Sequence, residues 1–441
     1  MRVGVLCGLV LSFSCGPTPS GVDAGSLPDA GVTTDAGAAG AADAGSTSPD
    51  AGVVDAGPGI VAGQAWGNLQ HPPFFTSSPG ASTPVYGRLW IDGRTPAAGA
   101  TPGVSAELGF GPVGSDPATD ARWTWVAAAF NLDVGNNDEF RADLVAPASG
   151  VFDFAFRYRL ESGGRWSYAD RSDEGRVGTD DGYQSENAGR LAVRAPGAAL
   201  KVATQNLHCL DASPATRLET AATRYAQLGV DAVTLQEVCV DGTLGNTAEV
   251  LAARLRVLTS RPWRHFFVET HLANGTTSEG VGVVTALPVV KTSTLDLPTV
   301  SFARKSLQVL AASEVGIVSL STEHFSFEAT PAGVQDRLDQ VDAVLAFEQA
   351  VAPLVAAQVV AGDLNSGPTE APATRLGSAG FLDAWATTAG GAAGFTYPTP
   401  TPTERIDYVF VKGLVPQQAQ LEFTAPVVSD HLGVSARLVV P

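Results

Sequence analysis

Basic residues are scarce in this chain. Lys and Arg number 27 against 45 Asp and Glu, a formal net charge of −18 over 441 residues. That balance argues against a protein that grips nucleic acid through a broad basic face. It leaves room for an enzyme that visits a phosphate group by way of bound cations. Beyond the first residues no apolar run is long enough for a spanning helix, which excludes a multi-pass membrane protein. Only four cysteines occur, and no Cys/His spacing suggests a structural zinc site. Hydrophobic residues reach 44% although aromatics are only 7%, so a globular core is feasible. The length suggests two or three domains. The 48 Gly and 29 Pro imply many turns and at least one unstructured stretch.

The N-terminus carries one positive charge at Arg2, an apolar run from Val3 to Phe13, and then Ser14-Cys15-Gly16. It resembles a bacterial lipoprotein signal, with Leu11 one position early and Phe13 bulky for its place. The resemblance implies cleavage before Cys15, a lipid on its thiol and attachment to a membrane. A cleaved secretory signal is the alternative. Either route exports the chain, as a cell-surface lipoprotein (outer membrane or cell envelope) or as a secreted protein. Residues 16–59 are low complexity. Asp-Ala-Gly recurs at Asp23, Asp29, Asp35, Asp43, Asp50 and Asp55, and no Lys or Arg stands between Arg2 and Arg88. Small residues and repeated carboxylates bury too little apolar surface to offset chain ordering, so a disordered, self-repelling tether is expected. The spacing is too irregular for a calcium-binding repeat.

From about residue 60 to 197 the pattern changes. Phe152, Phe154, Phe156, Tyr158 and Leu160 alternate with Asp153, Ala155, Arg157 and Arg159. Period two with one apolar face predicts a half-buried antiparallel strand. Val85–Ile91 and Trp123–Val126 also read as strands, turn residues separate them, and no long helical period intervenes. An all-β sandwich is expected. The stretch from Trp125 to Asp170 resembles immunoglobulin-like accessory modules of secreted bacterial enzymes. Trp166 and Tyr168 are candidates for polymer or glycan contact, with packing of the sandwich the preferred reading. Asn136, Asn137, Asp138 and Glu139 offer oxygen ligands for Ca²⁺, although a solvated turn explains them more simply.

From residue 198 to 441 strand-like and helix-like stretches mix. Leu200–Asn206, Asp231–Glu237, Val315–Leu320, Ala357–Ala361, Ile406–Val411 and Val434–Val440 read as strands, and Arg217–Leu228 and Gln335–Glu348 as helices. This mixture indicates a layered α/β domain. Polar groups recur at or near the strand ends: Asn206, Glu237, His324, Asp363 with Asn365, Asp407, and Asp430 with His431. Loops are polar anyway, so one such placement means little. Six in one domain point to convergence on one cleft.

The ordered series Gln205-Asn206, Gln236-Glu237, His324, Gly362-Asp363-Leu364-Asn365, Arg405-Ile406-Asp407-Tyr408 and Ser429-Asp430-His431 resembles the endonuclease/exonuclease/phosphatase superfamily. Its members include deoxyribonucleases, abasic-site nucleases, bacterial sphingomyelinases and inositol polyphosphate phosphatases. The resemblance implies a four-layer α-β-β-α sandwich over roughly Leu200 to Pro441. It implies a divalent cation, Mg²⁺ (or Mn²⁺/Ca²⁺), with Glu237, Asn206 and Asp430 as metal ligands. Asp363 and Asn365 would orient water and a phosphate oxygen. His431 would be the general base held by Asp407, and His324 would contact the phosphoryl oxygens. The residue types suit the reaction: an anionic phosphodiester repels hydroxide, so hydrolysis needs charge neutralisation, an activated water and support for developing oxyanions.

Relatives commonly read Thr-His where this chain reads Ser321-Thr322-Glu323-His324, so Glu323 either points away or alters the local charge. His208 is assigned to the rim. Arg304-Lys305 either meets a substrate phosphate or caps a solvated strand end, and Glu279 is a loose candidate partner for His324. The family places the first two catalytic strands side by side, which implies a Cys209–Cys239 disulfide in an exported protein. The substrate classes left open are nucleic acid first, then phospholipid (sphingomyelinase or phospholipase C-like) and inositol phosphate. A non-catalytic surface binding protein is the remaining reading, and a monomer is expected.

Overall fold

The computed structural model of the chain describes residues 60, 63–160, 164–171, 178–209 and 213–441. The signal-like leader with Cys15 and the Asp-Ala-Gly tether lie outside the described residues.

Residues 65–193 form the expected β-sandwich. Strands Ala65–His71, Ser82–Ile91 and Asn137–Val145 pair antiparallel on one side. Val104–Pro112, Gly150–Leu160 and Gly189–Val193 pair on the other. Thr124–Val134 crosses between them: its first half pairs with Val104–Pro112 and its second half with Asn137–Val145. The apolar face read from Phe152–Leu160 lies inside, where Phe154, Phe156 and Tyr158 pack against Leu89, Leu108 and Phe140. The solvated turn expected at 136–139 is corrected. Residues 137–139 begin a strand, and the Asp138 and Glu139 carboxylates are buried, accepting from Thr101 N at 2.9 Å and Asn131 Nδ2 at 2.7 Å. On the outer face the Arg157 guanidinium lies 4.1 Å from the Trp125 ring centre and 4.3 Å from that of Trp166. Trp125 lies flat on Gly109, where an added Cβ would meet its ring at 2.5 Å. These rings therefore pack the sheet rather than stand free.

From Ala199 the chain builds two facing sheets. The first runs in the order Arg264–Ala273, Thr277–Thr285, Ala232–Asp241, Ala199–Asn206, Gly433–Val439, Val415–Glu422. The second runs Val289–Leu297, Arg304–Ser313, Gly316–His324, Ala357–Asp363, Asp407–Lys412, Leu382–Asp383. Val202, Val281, Val309, Leu320, Val359 and Leu438 fill the space between the sheets. Helices Pro214–Leu228 and Thr247–Thr259 cover the first sheet through Ala222, Tyr225, Leu251 and Leu255. Helices Pro331–Val351 and Ala371–Ser378 cover the second through Val341, Val344 and Leu376. This is the expected four-layer α-β-β-α order. The near-continuous apolar reading of Ala357–Ala361 follows from it, because Val359 faces the other sheet and Val360 faces the helices.

The sandwich joins the second sheet at the strand ends far from His324 and Asp363. Ala192, Leu310, Ala312 and Ile317 share an apolar cluster. Ile317 N donates to Thr76 Oγ1 at 2.8 Å, and Ala195 N to Glu314 O at 3.0 Å.

Candidate active site

Parallel pairing of Ala199–Asn206 with Ala232–Asp241, and of Gly316–His324 with Ala357–Asp363, brings four strand ends to one edge of the double sheet. Antiparallel Asp407–Lys412 begins at that same edge, where Asp407 pairs with Asp363. A cleft of about 770 Å³ opens there, and its lining includes Glu237, His324, Asp363, Asn365, Asp430 and His431. Asn206 and Asp407 lie buried beneath it.

Asn206 sits at the centre. Its Nδ2 donates to Glu237 Oε1 at 3.0 Å and to Asp363 Oδ2 at 3.2 Å, so one amide bridges two carboxylates from different sheets. Its Oδ1 accepts from His208 N at 3.0 Å. Glu237 does not end its strand as read from the sequence. The strand runs on to Asp241 through an irregularity between Leu235 and Val238, and Glu237 takes φ +50°. This left-handed kink in a non-glycine residue turns the carboxylate toward the cleft. The Cys209–Cys239 disulfide is formed, with 5.2 Å between its Cα atoms, and Cys209 N donates to Glu237 Oε2 at 3.4 Å.

Asp363 is oriented from its own motif. Asn365 N donates to Asp363 Oδ1 at 2.8 Å, with Asn365 at φ +46° and its Nδ2 donating to Phe325 O at 3.0 Å. Gly362 has φ +148°, and a Cβ there would lie 2.0 Å from the Glu323 carbonyl oxygen, so only glycine fits before the aspartate. The glutamines of the other two motifs are braces. Gln236 Nε2 donates across the sheets to Thr322 Oγ1 at 3.0 Å, and Gln205 Nε2 to His431 O at 3.1 Å.

His431 Nδ1 lies 2.9 Å from Asp407 Oδ2, and its Nε2 lies 3.8 Å from Asp363 Oδ2. Burial works against charge on this imidazole. The Asp407 carboxylate, through its charge and hydrogen bond, with the charges of Asp363 and Asp430, outweighs burial and raises His431 to about 10. Burial first, and then the Asp407 charge, push Asp363 up to about 7. His324 Nε2 also lies 3.8 Å from Asp363 Oδ2. Arg304 Nη1 sits 3.0 Å from His324 Nδ1. Because a guanidinium only donates, Nδ1 accepts and the proton of the neutral ring is on Nε2, facing Asp363. Burial, and then the charge of Arg304, hold His324 well below the usual imidazole range.

This contact decides between the two sequence readings of Arg304, which is buried and lines the cleft instead of capping a solvated end. Lys305 points the other way and pairs with Asp296 at 3.1 Å. Glu323 likewise faces away. It is fully buried and accepts from Ser306 Oγ at 2.7 Å. Glu279 faces His271 Nε2 at 3.6 Å, a different partner from the one expected. Burial, then the charge of Glu237, raise Glu279 to about 7. His208 Nδ1 lies 3.3 Å from Asp430 Oδ1 at the rim. Sequence reasoning missed Tyr397, whose ring lies 4.7 Å from that of His431. Its loop, with alternating Pro and Thr, carries no catalytic signature.

Residues 203–431 match the Endonuclease/Exonuclease/phosphatase family. The chain belongs to this family. Family members are generally divalent-metal-dependent enzymes that hydrolyse phosphoesters, DNA among them. Among solved structures, the family protein from Leptotrichia buccalis is 20% identical, with 54% of this chain and 99% of that one covered and a TM-score of 0.47. TDP2 from D. rerio, complexed with a single-strand DNA product, is 20% identical over 55% of this chain and 99% of that one, with a TM-score of 0.43. A curated relative, an amylopullulanase from Thermoanaerobacterium thermosulfurigenes, is 27% identical over 96 residues, 19% of this chain. That match spans 5% of the amylopullulanase.

The donor set fits a hard divalent cation. Asp363, Asp407 and His431 offer ligand atoms within 4.8 Å of one another. Asp407 Oδ1 is buried without a hydrogen-bond donor. Glu237, Asp430 and Glu279 add three more carboxylates to the same cleft. Carboxylate oxygens in such excess suit Mg²⁺, Mn²⁺ or Ca²⁺.

Proposed function

We propose that this chain is an exported, divalent-metal-dependent phosphodiesterase, with nucleic acid as the first substrate class. In this reading residues 1–15 direct export, with or without a lipid on Cys15. Residues 16–59 form the tether, 60–197 an immunoglobulin-like accessory module and 198–441 the hydrolase. The observation that carries the reading is the Asp407–His431–Asp363 chain of contacts meeting the Asn206–Glu237 pair in one cleft.

Glu237, Asn206 and Asp430 are assigned to the cation. When bound, it would neutralise phosphate charge, acidify a water, and offset the carboxylate fields that keep His431 protonated. The chain's own residues do the rest. His431 Nε2 receives the proton of the attacking water, and Asp407 stabilises the imidazolium that forms. Asp363, fixed by Asn206 and Asn365, orients the water. His324 presents its Nε2 proton to a phosphoryl oxygen, its tautomer set by Arg304.

A divalent-metal panel over plasmid DNA, RNA, sphingomyelin, phosphatidylcholine and inositol phosphates tests the reading, with His431→Ala and Asp363→Asn as controls. Cation-dependent turnover lost in both variants is expected. Turnover that persists in both would defeat the site assignment, and no turnover on any substrate would favour a binding role.

A further inference from the structure

Aromatic rings stand on both banks of the cleft, and the fold fastens both banks by hydrogen bonds while leaving three of the rings exposed. On one bank Phe302 is 46% exposed and Phe327 is 55% exposed. Their ring centres are 5.9 Å apart with planes tilted by 31°, and Phe302 lies 5.2 Å from the His271 ring. The two loops that carry them are fastened by three buried side chains of helix Pro331–Val351. Asp336 accepts from Val300 N at 3.0 Å, and Arg337 donates to Ser326 O at 2.9 Å. Gln340 donates to Pro298 O at 2.8 Å and accepts from Ser326 N at 3.0 Å.

On the other bank Phe395 is 43% exposed, and Tyr397, half-buried with its ring 4.7 Å from that of His431, lines the same cleft. Their segment folds back through Thr396 N to Glu404 O at 2.7 Å. It is tied to the Ser429–His431 loop by Thr399 Oγ1 to Ser429 O at 2.7 Å, and by Leu432 N to Thr396 O at 2.8 Å.

The strand order puts these banks on opposite sides of Asp363. Phe302 and Phe327 flank Arg304–Ser313 and Gly316–His324, whereas Phe395 and Tyr397 lead toward Asp407–Lys412.

Resting on the phosphodiesterase reading, we infer that the cleft is specific for unpaired nucleic acid. The reacting phosphate sits between the banks, with one flanking base stacked on Phe302 and Phe327 and the other on Phe395 and Tyr397. Every base offers a π-face, so such platforms add sequence-tolerant stacking to the backbone contact available from Arg304 and Arg405, which line the same cleft. A chain of net charge −18 gains the more from contact that does not depend on charge. A duplex keeps its bases stacked on each other and offers backbone and groove edges but no free π-face to these rings, and this acidic protein has little attraction for its backbone. Pre-built rings lose little entropy on contact.

The test uses the full chain with Mn²⁺. It compares kcat/KM on a labelled single-stranded oligonucleotide, on the same strand in duplex, on bis(p-nitrophenyl) phosphate and on sphingomyelin micelles. The single strand should exceed the duplex by about tenfold or more. Phe302→Ala, Phe327→Ala and Phe395→Ala should each lower single-strand kcat/KM about tenfold, chiefly through KM, with Trp in their place restoring it. Equal rates on duplex and single strand, with the small diester still cleaved, would overturn this inference alone. Faster turnover of sphingomyelin that depends on the same rings would also overturn it, and would assign those rings to lipid. Failure to cleave any of the four substrates would remove the hydrolase reading and this inference with it.

Discussion

His431 is held by Asp407 on one nitrogen and faces Asp363 with the other, at 2.9 Å and 3.8 Å. Asp407→Asn keeps the shape of the side chain and removes the charge that stabilises the imidazolium. Phosphodiester turnover should fall about 10²–10⁴-fold with the circular dichroism spectrum unchanged. A variant within about threefold of the parent would show that Asp407 is a structural residue. Glu323 gives a prediction of a different kind. Burial raises this carboxyl well above its ordinary 4.5, the Ser306 hydrogen bond opposes that shift, and the charge of Glu348 adds to it. The folded chain then holds the proton more tightly than the unfolded one. Stability from this group is full below about 4.5 and is lost as pH rises toward the folded value. Glu323→Gln mimics the protonated acid and has no such dependence. The gap in melting temperature in favour of the variant should widen between about pH 5 and pH 9. A gap that stays constant would place the Glu323 charge elsewhere.

At the scale of elements, the strands explain what the sequence made legible. Motif residues could be found because each stands near the end of an apolar run, and the sheet order then collects those ends at one edge. The direction of Glu323 stayed open in the sequence because the strand is legible there only to Leu320; the observed strand Gly316–His324 includes both residues, and period two then sends Glu323 away from the cleft that His324 faces. The kink at Glu237 was not legible, since a left-handed glutamate inside an apolar strand breaks local preference and is held only by tertiary pairing. The role of Arg304 was hidden for a similar reason, because its partner His324 lies on the neighbouring strand. The disulfide ties these elements together behind Glu237. Replacing both Cys209 and Cys239 by Ala frees a loop with a sequence separation of 30, and chain entropy puts the loss at about 3–4 kcal/mol. Denaturant unfolding should show that loss, and titration calorimetry should show weaker Mn²⁺ binding. Unchanged cation affinity would limit the bridge to a role in stability.

For the whole molecule, the sandwich docks at the strand ends opposite the cleft, and the described residues that line that cleft all lie at Glu237 or beyond. The joint is apolar, with Ala192 and Ile317 both fully buried. Ala192→Asp would place an unpaired charge there. Calorimetry should then resolve two transitions where the parent shows one, with activity kept below the first. A single transition in the variant would mean that the joint contributes little coupling. The general charge balance, acidic throughout, was legible from composition. The aromatic banks were not, because Phe302, Phe327 and Phe395 come from three separate loops. The central claim is that side chains from two sheets and a bound cation cleave phosphodiesters in this one cleft. The most direct measurement is the initial rate on bis(p-nitrophenyl) phosphate by the full chain with Mn²⁺, after EDTA, and after Mn²⁺ is restored, beside Asp363→Asn. The account predicts turnover that disappears with chelation, returns with the metal and is absent from the variant. Turnover by Asp363→Asn equal to that of the parent would contradict it.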